Sequence, residues 1–318
     1  VLCDVIPEMP HGREGGVLTA AEAGRHMAIA GSVASAMVQP KEGKFYYLAL
    51  DVKMSRKPFT GIDSAFVADE DGYRTKVSPH KHASIFAKCV DMGSSPKSRH
   101  CSSEITLEIS PDEDAWFLEV TYYMIPARIF RKMYGEIDAE TISRMKNSES
   151  PYATFHGLPN AVQIIDGTSR TDTSISCHTY LPPPRPEDCL GHFEKTPALP
   201  IAYSNSFFCD LMAQAISELS GVPITFKVRD EKAEDNNVAF IISKGIQIKA
   251  EELVFANSYG QRVECDVELL SGHVGGEALD VPANYDGAMF KANIRAIKED
   301  GSGEIVFKGE YIWQMVAK

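Results

Sequence analysis

The chain of 318 residues has no apolar run that approaches the roughly 20 residues a membrane-spanning helix needs. It also contains no Walker phosphate loop, no GxGxxG and no GxSxG, so nothing in it supports nucleotide binding or an α/β-hydrolase elbow. The first 16 residues lack the basic-then-apolar layout of a signal peptide. We therefore expect a soluble protein without a membrane partner.

Positive charge is scarce, because 32 Lys and Arg residues stand against 44 Asp and Glu residues, a net charge of −12. Nucleic-acid binding requires clustered basic side chains that neutralise phosphates, so no nucleic-acid partner is expected. The seven cysteines are scattered and odd in number. Such a set is not a disulfide framework and predicts a reducing compartment, hence a cytoplasmic protein.

The length exceeds what one hydrophobic core comfortably serves, and the composition, 44% hydrophobic and 24% charged, is that of a globular protein. Core signals fade at residues 145–160 and the pattern of the first half then returns. The sequence therefore predicts two domains, residues 1–150 and 151–318.

Each half is expected to contain one main helix followed by strands. The helices are predicted at residues 19–37, which are rich in Ala, and at residues 204–219. The predicted strands span residues 45–54, 84–90, 105–109 and 116–123, then 224–228, 238–248, 251–255, 262–270, 288–297 and 304–316. Largely consecutive strands after one helix indicate the α+β class, with an antiparallel sheet covering a central helix.

The most specific motif is GHFEKTPALP at residues 191–200, which is followed by DLMAQ at residues 210–214. It resembles the active-site segment of bacterial 3-hydroxyacyl-carrier-protein dehydratases, in which Gly-His-Phe and two spaced prolines precede the helix of a hotdog fold. Glu194 and Lys195 stand where the family usually has Pro-Gly, and Ile201 replaces a usual glycine. The resemblance covers roughly 25 residues and implies a double hotdog, with two central helices each wrapped by an antiparallel sheet.

In those dehydratases the histidine of one hotdog faces an acid on the helix of the other. The resemblance thus implies that His192 pairs with Glu22, the one carboxylate of the first helix, and that His11 pairs reciprocally with Asp210. Burying an acid in an Ala-rich segment is costly unless it is paired or functional. Glu22 could instead complement its helix dipole, and Asp210 could pair with a neighbouring polar group.

A neutral imidazole can remove the α-proton of a 3-hydroxyacyl thioester while a carboxyl group protonates the departing hydroxyl. This reaction needs no cofactor and no metal, and the substrate would be carried by an acyl carrier protein or by CoA. His80 and His82 lie on one face of a predicted strand, but their spacing matches no standard zinc pattern. Arg128, Arg131 and Lys132 would either receive the carrier or form a solvated surface.

Two other functions are kept open. Gly15 and Gly16 before Glu22 look like the segment of hotdog thioesterases in which a glycine pair opens the helix and a carboxylate activates water or attacks the thioester. A non-catalytic hotdog that only binds acyl chains or a carrier protein is the third interpretation. A fused pair would complete its site within one chain, and association into a homo-oligomer through sheet edges is left open.

Overall fold

A computed structural model describes residues 2–5, 19–38, 43–56, 66–68, 74–76, 83–91, 98–107, 115–136, 138–140, 143, 164–181, 201–222, 224, 239–251, 260–271 and 286–317. The helices in these ranges include α1 (Ala20–Met37), α2 (Ala127–Tyr134) and α3 (Ile201–Ser220). The strands are β1 (Leu2–Val5), β2 (Phe45–Arg56), β3 (Phe66–Ala68), β4 (Arg74–Lys76), β5 (Ala83–Asp91), β6 (Ser98–Leu107), β7 (Ala115–Pro126), β8 (Ile165–Arg170), β9 (Ser174–Leu181), β10 (Ala239–Ala250), β11 (Gln261–Ser271), β12 (Asp286–Lys298) and β13 (Ile305–Ala317).

Eleven of these strands form one antiparallel sheet in the order β1-β5-β6-β7-β2-β10-β13-β12-β11-β9-β8, and β3 pairs with β4 separately. Alternation of buried and exposed side chains produces the two faces of the sheet. In β7, for example, Trp116, Leu118 and Val120 are buried whereas Phe117 and Glu119 between them are exposed. The predicted α+β class with an antiparallel sheet is confirmed. The hotdog assignment of each half stays a prediction.

The two halves share one strand order. In each half the first strand after the long helix (β2 or β10) lies at the centre of the sheet. The next three large strands (β7, β6 and β5, or β13, β12 and β11) follow outward in reverse order, and the strand that precedes the helix (β1 or β9) comes beyond them. The halves meet where β2 pairs with β10, with Met54 opposite Ile246. The division at residues 150 and 151 lies outside the described residues and stays a prediction.

Helix α1 approaches the sheet closely because the residues facing it are small. Ala20, Ala23, Ala30 and Ala34 are buried. A Cβ at Gly31 would lie 2.9 Å from Tyr122 Oη, so only glycine fits there without displacing the tyrosine. The Tyr122 hydroxyl donates a hydrogen bond to the carbonyl of Ala28, which fixes the helix over β7.

Helix α3 packs with larger side chains. The rings of Phe208 and Phe307 lie 4.5 Å apart between centroids. Trp313 Nε1 donates to Met212 Sδ at 3.4 Å, and Tyr311 Oη donates to Asn205 Oδ1 at 2.8 Å. These three contacts place α3 over β13, next to the central strand β10.

Both long helices begin near the middle of the sheet and end over its outer strands. Gly24 of α1 faces Met54 of β2, while Ser35, near the end of α1, contacts Cys101 of β6. In the other half Asn205 contacts β13, while the carbonyl of Leu219 accepts a hydrogen bond from Arg170 of β8. The helices α1 and α3 also contact each other. The beginnings of both helices therefore lie nearer to the β2–β10 junction than their ends do.

Several elements differ from the predictions. Strands β8 and β9 precede α3, where no strand was predicted, so the description of each half as a helix followed by strands was incomplete. In β9 the buried face is Ile175, Cys177, Thr179 and Leu181. Because two of these four side chains are weakly hydrophobic, the alternation is hard to recognise in the sequence. Of the strands predicted at residues 224–228 and 251–255, most residues lie outside the described part of the chain.

Helix α2 was also missed, and it lies on the face of the sheet opposite α1. Phe130 of α2 packs on Tyr46, at 4.5 Å between ring centroids, and on Leu48. Tyr47, between those two residues, packs instead on Tyr122 in the main core. Since neighbouring residues of a strand point to opposite faces, α2 covers the outer face. Within the described ranges no helix is long and apolar enough to cross a membrane.

Candidate active site

Glu22 lies in the first turn of α1 and is buried, with 3% of its surface exposed. The helix begins at Thr19, whose side-chain oxygen accepts a hydrogen bond from the backbone N–H of Glu22 at 3.3 Å. Ala20, Ala21 and Ala23 around it are buried as well. The helix dipole favours a negative charge at this end, so the position stabilises a carboxylate that the apolar surroundings would otherwise disfavour.

An imidazole lies beside this carboxyl group. His26 Nε2 is 3.9 Å from Glu22 Oε1, an ion-pair distance, because residues four apart share one face of a helix. The Glu22 side chain is 2% exposed and that of His26 is 15% exposed. His26 thus reaches from the buried carboxyl group toward solvent.

A permanent cation contacts the same imidazole nitrogen. Arg25 Nη2 lies 3.5 Å from His26 Nε2. A guanidinium group only donates hydrogen bonds, so Nε2 carries no proton whenever it accepts from Arg25. When Nε2 carries a proton, Glu22 is the neighbour that can accept it. The nitrogen therefore stands between a donor and an acceptor on one helix turn.

Asp210 is a buried acid of α3. It is 6% exposed, and its Oδ2 accepts a hydrogen bond from Gln214 Nε2 at 3.1 Å. Asp210 therefore contacts a neighbouring polar group, which was one of the two interpretations of this residue, and the two residues are again four apart. The partner is an amide, which cannot take up or release a proton at ordinary pH.

Tyr311, Cys101 and Cys265 stay protonated at ordinary pH. Burial raises the pKa of Tyr311 well above its ordinary value, and burial likewise raises the pKa of the Cys101 thiol to about 11. The Cys265 pKa is raised by its hydrogen bond with Cys177 and by burial. A protonated thiol is a weak nucleophile, so Cys101 and Cys265 are poor choices for covalent catalysis.

Two of the four predicted site residues lie in the described structure. Glu22 and Asp210 are both buried, on helices that contact each other. His11 and His192 lie outside the described residues, as do Gly15 and Gly16. The pairings His192–Glu22 and His11–Asp210 therefore stay predictions. Sequence reasoning missed His26, although its spacing of four from Glu22 on a predicted helix was the signal that would have found it.

No metal centre is found in the part of the chain that the structure describes, where no three His, Cys, Asp or Glu residues come together to hold an ion. His80 and His82 lie outside that part. Among the described residues, Cys89, Cys101, Cys177, Cys209 and Cys265 form no disulfide bond.

No protein-family model matches the chain, and neither does any curated protein. Among solved structures, a 12:0-ACP thioesterase from Umbellularia californica is 9% identical, with 99% of this chain and 94% of that one covered and a TM-score of 0.49. An acyl-ACP thioesterase from Bacteroides thetaiotaomicron is 9% identical, with 98% and 97% covered and a TM-score of 0.48. A MaoC-like dehydratase is 10% identical, with 94% and 84% covered and a TM-score of 0.41. These three TM-scores lie below 0.5, so the likenesses support no conclusion about the function of this chain.

Proposed function

We propose that the chain is a double hotdog enzyme that acts on an acyl thioester and uses Glu22 as the carboxyl group of its active site. The shared strand order of the two halves, with one long helix on each, supports the double arrangement. Residues 1–150 and 151–318 would form the two units. The resemblance of residues 191–200 to the dehydratase segment supports the substrate class.

The burial of Glu22 is the observation that carries this proposal. A carboxyl group that is 3% exposed among alanines loses most of its hydration. A chain that needed only a helix-dipole partner would obtain it from an exposed acid at lower cost. Glu22 also lies in the first turn of α1, close in sequence to Gly24, which faces Met54 on the strand that joins the two halves.

We propose dehydration of a 3-hydroxyacyl thioester as the reaction, which the resemblance of residues 191–200 to the dehydratase segment supports. The imidazole of His192 removes the proton α to the thioester carbonyl, and the electron pair of that C–H bond forms the new C=C bond. The C–O bond at carbon 3 breaks, and the Glu22 carboxyl group protonates the departing hydroxyl, which leaves as water. Backbone N–H groups at a helix start would stabilise the negative charge on the thioester oxygen.

Hydrolysis of the thioester is the second candidate. It is favoured by the position of Glu22 in the first helical turn, soon after the glycine pair. In this reaction the Glu22 carboxylate removes a proton from water, the hydroxide forms the new C–O bond as the C–S bond breaks, and the departing thiolate takes a proton from solvent. Alternatively the carboxylate attacks the thioester itself, the thiolate leaves, and water then hydrolyses the anhydride between the acyl group and Glu22. His192 would then be dispensable.

Mass spectrometry of thioester reactions separates the two candidates. The chain is incubated with matched 3-hydroxyacyl and saturated acyl thioesters, each on CoA and on an acyl carrier protein. Loss of one water from the 3-hydroxyacyl thioester is expected. Release of free acid from both substrates would support the hydrolase instead, and no turnover of either would contradict the proposed function. His192→Ala should lower dehydration about 100-fold or more but leave hydrolysis intact.

The site is expected to be complete within one chain, because each chain would carry both halves. A mixture of His192→Ala chains with Glu22→Gln chains should therefore stay as inactive as either variant. Recovery of a large fraction of the wild-type rate would show that the site forms between chains. A homo-oligomer that forms through the exposed edges of the sheet is compatible with an inactive mixture, because each chain would still carry its own complete site.

A further inference from the structure

His26 connects a buried carboxyl group with solvent. Its side chain is 15% exposed, that of Glu22 is 2% exposed, and His26 Nε2 is 3.9 Å from Glu22 Oε1. Imidazole is the side chain that gains and loses a proton near neutral pH without a large shift from its ordinary pKa. The residue thus has the reach and the chemistry to exchange protons with a group that water hardly reaches.

We propose that His26 is a positioning residue for Glu22 that also returns the carboxyl group to its starting protonation state after each turnover. The proposal rests on the proposed role of Glu22. It does not depend on whether the reaction is dehydration or hydrolysis.

The proton balance closes in both reactions. In dehydration Glu22 gives its proton to the departing hydroxyl and becomes a carboxylate. The neutral imidazole of His26 then takes up a proton from solvent, and the resulting imidazolium passes its Nε2 proton to that carboxylate. His192 releases the α-proton to solvent, which completes the balance. In hydrolysis the direction reverses. Glu22 takes a proton from the attacking water, and the hydroxide forms the new C–O bond as the C–S bond breaks. The departing thiolate takes up a proton from solvent, while Glu22 passes its own proton through His26 Nε2 to solvent. A small rotation of the imidazole brings the two atoms to the roughly 2.8 Å at which such a transfer occurs.

Arg25 faces the same ring nitrogen as Glu22. Its guanidinium lies 3.5 Å from His26 Nε2 and disfavours a second positive charge on the ring, whereas the Glu22 carboxylate favours it. Opposite influences thus act on one nitrogen, which suits a group that both gains and loses a proton.

The other half offers the natural contrast. Asp210 has Gln214 at the same spacing of four, at 3.1 Å. An amide can hold a carboxylate in place, but it cannot carry its proton. If holding the carboxylate were the whole task of residue 26, glutamine would perform it equally well.

His26→Ala and His26→Gln test this role with the thioester that the wild-type chain turns over. Both variants should lower kcat about tenfold to 100-fold while KM changes less than about twofold, since substrate binding does not involve the relay. Free imidazole should restore part of kcat in His26→Ala, where it fills the space of the missing ring, and should have no effect on Glu22→Gln. The matched control is His178→Ala, which removes a half-buried imidazole from β9 and should keep wild-type kcat.

Three outcomes would overturn the relay. The first two are a wild-type kcat in His26→Ala and a wild-type kcat in His26→Gln. The third is a loss of kcat that imidazole does not restore in a His26→Ala chain that stays folded by circular dichroism. Failure of the proposed function looks different, because then Glu22→Gln keeps full activity or the wild-type chain turns over no thioester.

Discussion

The two long helices occupy equivalent places in the two halves but differ in what they offer chemically. Each carries one buried acid with a partner four residues later, Glu22 with His26 on α1 and Asp210 with Gln214 on α3. The partner is an imidazole in one half and an amide in the other. The same strand order therefore carries an imidazole beside the buried acid in one half and an amide beside it in the other.

The helices also differ in how they pack. Alanines and glycines of α1 bring its backbone close to the sheet, whereas α3 keeps its distance with Phe208, Leu211 and Met212. Because the contact residues of α1 are small, the helix backbone itself lies close to the sheet. The burial of Glu22 and its neighbours therefore depends on this short distance between the helix backbone and the sheet. On α3 burial comes from side-chain volume, and we expect the two helices to respond differently to substitution.

The largest effects are expected at the fully buried methionines. Met27 of α1 and Met212 of α3 are both 0% exposed. Replacing either with Ala should lower the free energy of unfolding by about 2–5 kcal/mol. Met212→Ala should lie higher in this range, because it also leaves the indole N–H of Trp313 without its acceptor. Urea unfolding followed by circular dichroism measures both, and an equal loss would contradict the difference in packing.

Catalysis should separate the acids more sharply than stability does. Glu22→Gln keeps the shape of the side chain but removes its proton chemistry, so kcat should fall about 100-fold or more. Asp210→Asn should reduce kcat less than about tenfold if the α1 acid serves the active site. Rates for the two variants are compared under identical conditions. A larger loss in Asp210→Asn would move the site to the reciprocal pair with His11.

The close approach of α1 can be tested with a single methyl group. Gly31→Ala should lower the free energy of unfolding by about 1–2 kcal/mol, because the new Cβ would lie 2.9 Å from Tyr122 Oη. This steric clash outweighs the helix-propensity gain of about 1 kcal/mol. Gly24→Ala is the control, since its Cβ would meet the flexible end of Met54 at 3.0 Å. Its stability should stay within about 1 kcal/mol of the wild type in the same unfolding assay. Equal losses in the free energy of unfolding for both variants would contradict the idea that Tyr122 restricts residue 31 to glycine.

The smallest effect is expected at the amide partner on α3. Gln214→Ala removes the hydrogen bond to Asp210 and should destabilise the chain by about 1 kcal/mol. Activity should change little, in contrast with His26→Ala. A thermal melt together with one rate measurement is sufficient, and a loss of kcat similar to that of His26→Ala would show that both pairs serve the reaction.

The long helices and most strands could be predicted because their signals are local. An Ala-rich run that ends before Pro40 predicted α1 to within one residue, and alternating side chains predicted β7 and β13. Helix α2 was missed because it is eight residues long and its apolar contacts lie on the outer face, against Tyr46 and Leu48. Such a helix is stabilised by tertiary packing that no short window reveals.

The candidate site was predictable only in part. A carboxylate alone in an Ala-rich helix singled out Glu22, which is buried, and its part in catalysis stays a prediction. The partner was sought across the two halves, as the resemblance implied, and His26 on the same helix was overlooked. Spacing along one helix fixes such a contact, whereas the separation of Glu22 from His192 depends on how the whole chain folds.

The β2–β10 pairing has a consequence for how this chain can evolve. In a dimer of identical subunits, one codon change alters both copies of a helix at once. Here α1 and α3 are encoded separately although their strands share one sheet. Residue 26 can therefore become a histidine while residue 214 remains a glutamine, so each half is free to specialise without forcing the same change on the other.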